Sequence, residues 1–275
     1  RLKGSSMTAT ANRSSASPEA LRAAIPNSVA LASGKGGVGK TWLASTLAGA
    51  LAYQGDRVLL FDGDLGLANI DVQLGLSPEK DLSMVLSGRA PLEEAVATYG
   101  EGTGSFDVLA GASGSGALSD LSAPEIAGLL QGLKALGGHY DRLLIDLGAG
   151  VDPHVTQLAA AAQTLLVVVT DEPTSMTDAY AFIKILVGRH GRRDIRIAVN
   201  MAETSAEGRR VHGALATACQ NFLGFEPPLA GIVRRDARVK QAIRQQTPLL
   251  ARYPQSDAGL DASRMASTLA AAPKT

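Results

Sequence analysis

The stretch Ser33–Trp42 reads SGKGGVGKTW and carries two lysines where a phosphate-binding loop needs one. The spacing G-x-x-x-x-G-K-[ST] is met by Gly34, Gly39, Lys40 and Thr41, with Gly36, Gly37 and Val38 between them. Upstream, Ser28–Ser33 (SVALAS) reads as a short buried strand; downstream, residues from about Thr41 to Tyr53 read as a helix. A glycine-rich turn in that position offers backbone N–H groups to an anion, and the dipole of the helix adds to the attraction. Lys40 is expected to bridge the β- and γ-phosphates of a nucleotide, and Thr41 to give its hydroxyl to Mg²⁺. Lys35 has no such task. Its own loop's backbone occupies the phosphate side, so Lys35 could reach outward to a nucleotide held by a second subunit or stand as a solvated loop lysine.

The same strand-then-loop pattern recurs along the chain. Arg57–Asp64 (RVLLFDGD), Phe106–Gly111 (FDVLAG), Arg142–Gly148 (RLLIDLG), Thr164–Thr170 (TLLVVVT), Ile195–Asn200 (IRIAVN) and Leu229–Val233 (LAGIV) are apolar segments, with helices over Pro124–Leu136 and from about Ser175 and Ala206. Near-continuous apolar runs mean that both faces of each strand are covered, which is the mark of a parallel sheet between helix layers. The expected fold is therefore α/β, a P-loop NTPase with a mostly parallel twisted sheet and helices on both faces. Right-handed crossovers place the carboxyl ends of the strands along one edge, where the loops of chemical interest all fall.

Two of those loops carry carboxylates. Asp62 and Asp64 alternate at the end of the second strand, so one faces the phosphate loop and the other faces away; capping of the following loop is the competing role for either. In Leu143–Gly150 (LLIDLGAG), four apolar positions lead to Asp146 and then to glycines that let the backbone move near a γ-phosphate. Asp146 is expected to hold a Mg²⁺ water, and Gly148 and Gly150 to form a nucleotide-sensing switch.

Composition bounds the rest. The 275 residues are 45% hydrophobic and 19% charged, which suits one α/β domain with a large core. Net charge is zero, so no global field draws the chain to nucleic acid or acidic lipid. A single cysteine, Cys219, excludes an internal disulfide and a CxxC site, and a reduced cytoplasmic setting follows as the expectation. Arg1–Ser6 precedes Met7 and reads as an expression scar, residues 7–26 as a flexible segment, 27–254 as the ATPase domain and 255–275 as a tail or short helix. The Gly/Ser-rich stretch Gly111–Asp120 reads as a mobile surface loop. Trp42 and Cys219 read as packing residues.

Lys35–Thr41 (KGGVGKT) resembles the deviant phosphate loop of the MinD/ParA ATPase family, whose additional lysine crosses a dimer interface to the partner's ATP. The resemblance implies ATP and Mg²⁺ as ligands, an ATP-dependent homodimer, Lys35 and Asp64 as catalytic residues with Asp64 orienting the attacking water, and a first switch running from Asp62 through Asp71. It also implies an adenine contact by Asn200, with Arg234 standing in a second base-contacting loop. Val199–Glu203 (VNMAE) lacks the lysine and aspartate that read guanine in GTP-specific relatives. Asp62–Leu76, Ile145–Gly150 and Glu172–Leu186 resemble the FlhG/FleN flagellar-number group in particular, which implies control of the placement or number of flagella, at the inner membrane or cell pole. Ser17–Ile25 (SPEALRAAI) resembles that group's N-terminal motif for a partner GTPase at Leu21 and Arg22; a flagellar GTPase or a transcription regulator is the implied protein partner.

Three rivals remain. A DNA-partitioning ATPase of the ParA type would use Arg189, Arg192, Arg193 and Arg196, or Arg234, Arg235, Arg238, Lys240 and Arg244, as a phosphate-binding patch, against which the zero net charge argues. A ligase of the dethiobiotin type would need a substrate lid, and no residue constellation provides one. An iron–sulfur reductase needs cluster cysteines, and the single cysteine excludes it. Membrane binding would fall to Gly259–Thr275, whose Leu260, Met265 and Leu269 make a meagre apolar face with one arginine and one lysine.

Overall fold

The computed structural model describes residues 24–111, 121–192 and 194–271. Residues 1–23, which include the stretch read as an expression scar and both Leu21 and Arg22, together with residues 112–120 and Arg193, lie outside those residues. The strands are β1 (Ile25–Ser33), β2 (Val58–Gly63), β3 (Val96–Tyr99), β4 (Phe106–Leu109), β5 (Arg142–Ala149), β6 (Ala162–Val169), β7 (Ile195–Ala202) and β8 (Leu229–Arg234), in the spatial order 3-4-2-5-1-6-7-8. Each neighbouring pair is parallel except β3 with β4.

The side-chain alternation of a strand explains the continuous apolar runs. Leu59, Phe61, Leu143, Ile145 and Leu147 face a core closed by the helices Ala123–Gly137, Pro153–Ala161, Pro173–His190 and Ser205–Leu223. Val58, Leu60 and Leu144, one residue out of phase, face a second core closed by Lys40–Tyr53, Ala237–Arg244, Leu249–Arg252 and Asp257–Ala270. Each leucine so buried contributes about 1.5–3 kcal/mol.

Three expectations change. The first strand begins at Ile25 rather than Ser28, with an irregularity at Asn27, whose φ of 54° breaks the register with β6 between Ile25 and Val29. The edge strand β3, only four residues and incompletely buried, carries no continuous apolar signal. The packed unit also does not end at Pro254. The helix Asp257–Ala270 lays Ala258, Ala262, Met265, Ala266 and Leu269 into the second core, so most of the apolar residues considered for a membrane face already have protein partners. Among the described residues no helix is long and apolar enough to cross a membrane.

β1 is central, with β5 on one side and β6 on the other, while the chain runs from β1 over β5 to β2. That reversal opens a crevice at the carboxyl ends of β1 and β5, where open α/β sheets hold ligands.

Candidate functional site

The crevice is a cleft of about 810 Å³ whose walls include Gly36–Trp42, Asp64, Leu67, Gly148, Asp152 and His154. The phosphate loop leaves β1 and enters the helix Lys40–Tyr53 through Gly39, at φ 79°, following Gly37 at φ 80°. A Cβ on Gly34 would lie 2.2 Å from the carbonyl carbon of Asp178, and one on Gly39 would lie 2.6 Å from Nδ2 of Asn200. Gly36 and Gly37 meet nothing on their open side. The first pair of glycines is required by packing; the second leaves backbone free to approach an anion.

Lys40 and Asp146 meet at the floor. Lys40 Nζ donates to Asp146 Oδ1 at 3.1 Å, with the two side chains 8% and 1% exposed. Burial raises the Asp146 carboxyl above the ordinary range, while Lys40 and a hydrogen bond from Thr41 pull it back down. Thr41 and Asp146 thus lie together at the place where a hydroxyl and a carboxylate would hold Mg²⁺ and its water. The donor set suits that ion. Among the described residues no three His, Cys, Asp or Glu side chains form a metal cage, and Mg²⁺ at a phosphate loop takes few protein ligands beside phosphates and waters.

The two switch carboxylates divide the alternatives left by the sequence. Asp64 lines the cleft, with Oδ1 about 3.2 Å from where a Cβ on Gly148 would stand. Asp62 turns away and is 1% exposed. Its Oδ1 accepts from the Asp64 N–H at 3.2 Å, and its Oδ2 from the Asn69 and Ile70 N–H groups at 2.9 and 3.0 Å. Burial pushes the Asp62 carboxyl up to about 7, against those three bonds. Asp62 is a loop cap, Asp64 a cleft residue. Asp71 sits in the first turn of Ile70–Leu74, its carboxylate accepting from Val72 N–H. Gly150, at φ 94°, donates to the Ser33 carbonyl at 3.0 Å and ties the second switch to the phosphate loop.

Lys35 stands at the outer end of the loop. Its Nζ donates to Glu172 Oε2 at 2.5 Å and Thr174 Oγ1 at 2.9 Å. That hydrogen bond holds the Glu172 carboxyl below its usual range. Glu172 and Thr174 were visible in the sequence only as part of a resemblance; their role as Lys35's partners spans more than 130 residues of chain. Asp152 and His154, in the cleft wall just past the second switch, were also missed, although their position after LGAG was a usable signal.

The base side differs from expectation. Asn200 is buried at the end of β7 and donates its amide to the Val38 carbonyl at 2.8 Å, so it braces the phosphate loop. Arg234 is committed elsewhere: its guanidinium grips Asp261 at 2.7 and 3.0 Å and Asp257 at 2.8 Å, locking β8 to the helix Asp257–Ala270. In this arrangement the Arg234 guanidinium is turned to the helix Asp257–Ala270 and away from the base contact expected of it.

Part of the two arginine patches of the DNA-binding rival is also engaged within the fold. Arg192 lies among backbone carbonyls, donating to Ala160, Ala162, Gln163 and Asp194, and burial lowers its pKa. Arg196 faces Asp194, Arg235 pairs with Glu203 and Arg238 faces Asp236. Trp42 and Cys219 are packing residues, 6% and 0% exposed, and burial pushes the Cys219 thiol up to about 11.

A phosphate loop at the head of a central parallel strand, flanked by two carboxylate-bearing switches, defines a P-loop nucleotide-binding ATPase. The profile of the CobQ/CobB/MinD/ParA nucleotide binding domain matches residues 29–249, and the chain belongs to that family. It is 40% identical over 232 residues to the antiactivator FleN of Pseudomonas aeruginosa, covering 84% of this chain and 82% of the relative. It is 30% identical over 219 residues to the flagellum site-determining protein YlxH of Helicobacter pylori, covering 79% and 73%. The septum site-determining protein MinD from Pyrococcus horikoshii, solved with Mg-ADP, shares the fold at a TM-score of 0.72 and 24% identity, over 87% of this chain and 94% of that one.

Proposed function

We propose that the chain is an ATP-operated dimerisation switch that regulates the placement or number of flagella. The observation that carries it is the division of labour within one loop: Lys40 faces inward to a buried carboxylate, while Lys35 faces outward on a pair that solvent can exchange. Lys40 and the loop N–H groups hold the phosphates, Thr41 and Asp146 hold Mg²⁺, and Asp64 orients the attacking water over Gly148. Bound there, Mg²⁺ supplies positive charge to the phosphate oxygens. Lys35 of each protomer leaves Glu172 for the nucleotide of the other, completing the site only when two chains face each other. Asn200 braces the loop beside the adenine, and ATP is the base-selective ligand because Val199–Glu203 offers no guanine-reading side chain.

The similarity to FleN and YlxH supports the flagellar assignment, and a regulatory protein of that system is the partner that the dimer would engage. The zero net charge, with Arg192 and Arg234 committed within the fold, favours this over a DNA-partitioning role. Sedimentation of the chain with ATP, ADP and no nucleotide tests the switch: a dimer with ATP alone is expected, and the same state in all three conditions removes it. Calorimetry should show ATP binding and little GTP binding; equal affinities contradict the base assignment.

A further inference from the structure

We propose that Asp62 is a positioning residue for hydrolysis: it clamps the first switch loop shut and so aims Asp64, without touching nucleotide or metal itself. The proposal rests on the hydrolase reading above.

The segment from Asp64 to Asn69 is a six-residue loop joining β2 to the helix Ile70–Leu74. That helix has no side-chain cap of its own, since Asn69 makes none. The orphan N–H groups of Asn69 and Ile70 are taken instead by Asp62 Oδ2. The other oxygen of the same carboxylate takes the N–H of Asp64. One rigid group at the end of a central strand therefore pins both ends of the loop. Within it, Asp64 Oδ1 accepts from Leu67 N–H at 3.1 Å, which sets the direction of the residue meant to orient water.

A second contact closes the loop from outside. Gly111, just beyond β4, lies so close to Ala68 that a Cβ there would stand 2.3 Å from the Ala68 Cβ, while meeting the Asp62 carboxylate carbon at only an ordinary 3.6 Å. The floor under the loop is thus built for contact with Ala68.

The energetics separate this role from general stabilisation. A carboxylate buried at the end of β2 has lost its water, a burden on the fold that three backbone N–H groups only partly offset. Replacing it by an isosteric amide removes that burden but keeps only one acceptor oxygen, so one side of the clamp must open. Stability and catalysis should move in opposite directions.

The test uses the full chain. Asp62→Asn is expected to keep its melting temperature or raise it, to hold the ATP dissociation constant and KM within about threefold, and to lower kcat on the order of 100-fold through misplacement of Asp64. Hydrogen exchange at the Asp64, Asn69 or Ile70 amides should accelerate. Gly111→Ala, whose added methyl clashes with Ala68 and meets Asp62 only at ordinary contact distance, should reproduce the loss of kcat by lifting Ala68, and adding Ala68→Gly should restore it. If Asp62→Asn fails to fold, the Gly111 and Ala68 variants decide alone.

A folded Asp62→Asn with the parent kcat overturns the proposal. So does loss of ATP binding in step with kcat, which would place Asp62 in the Mg²⁺ site, and so does a Gly111→Ala chain that Ala68→Gly cannot rescue. Exchange reads the clamp without reference to turnover: a parent lacking ATPase activity overturns the hydrolase reading, whereas unchanged exchange in Asp62→Asn overturns the clamp.

Discussion

The two ends of the phosphate loop hold the same side chain in opposite circumstances. At the inner end Lys40 is sealed against Asp146, both nearly inaccessible; at the outer end Lys35 and Glu172 keep 37% and 60% of their side chains exposed. Breaking a buried pair from one side strands a charge and costs about 3–5 kcal/mol. An exposed pair competes with water and is worth little. Burial therefore makes Lys40 a fixed part of the site and Lys35 a group that can change partners. A lysine that senses a second subunit has to be of the second kind.

The largest effect expected is that of Lys40→Ala. It removes the charge facing the phosphates and leaves Asp146 alone, so ATP binding should fall below detection in a calorimetric titration. Its stability loss should also depend on pH. Asp146 already has a raised folded-state pKa, and without Lys40 that pKa rises further. A raised carboxyl pKa favours the fold at low pH and disfavours it as pH climbs. The deficit against the parent should be larger at about pH 8 than at about pH 5; equal deficits would mean that Asp146 is not the stranded group.

Next comes Asp64→Ala, which leaves both lysines in place. It should bind ATP like the parent, abolish turnover and accumulate an ATP-bound dimer. Parent-rate hydrolysis in single-turnover assays would take the water-orienting role away from Asp64.

Lys35→Ala separates the two ends most directly. Monomeric affinity for ATP should hold within about twofold, because the lost pair is exposed and the phosphates keep Lys40. Dimerisation with ATP should weaken by more than about 100-fold, since two charge-assisted contacts vanish in a symmetric dimer, and most hydrolysis should go with it. A variant that sediments as a dimer like the parent would reduce Lys35 to an ordinary loop residue.

The sequence made one end of this loop far more legible than the other. Lys40, Thr41 and Asp146 follow strands whose apolar runs mark them as central, so their convergence needs only the topology. Lys35's partners do not follow from topology, because an exposed contact between residues 35 and 172 leaves no periodic trace. The same holds for Asp62: its alternation with Asp64 was plain, but which of the two faces the cleft depends on the N–H groups of Asn69 and Ile70, set by how the loop turns. Asn200 was found at the right strand end, yet its amide went to the loop it flanks. Arg234 was placed by the loop it stands in, whereas its partners Asp257 and Asp261 belong to a helix, Asp257–Ala270, with so much alanine that its apolar face looked too slight to pack. Small side chains permit close approach, and that helix packs on Lys40–Tyr53, itself rich in alanine.

The smallest effect distinguishes parking from preparation. Glu172 either withholds Lys35 from a second subunit or presents it in the orientation the dimer needs. Parking predicts a competition: each lysine must give up Glu172 and Thr174 before crossing the interface, so the dimer forms at the expense of two ion pairs. Glu172→Gln keeps the shape and a hydrogen-bonding oxygen but removes the charge that binds Lys35. Since exposed pairs are weak, ATP-dependent dimerisation should tighten by only about two- to fivefold per lysine, and the gain should shrink as salt screens the parent's pair. Preparation predicts the reverse sign, because an unpaired Lys35 samples more rotamers and loses more entropy on crossing. Sedimentation velocity across a protein concentration series, at low and high salt, reads that sign. A dimer weakened by Glu172→Gln would make the carboxylate a guide for Lys35 and not its rival.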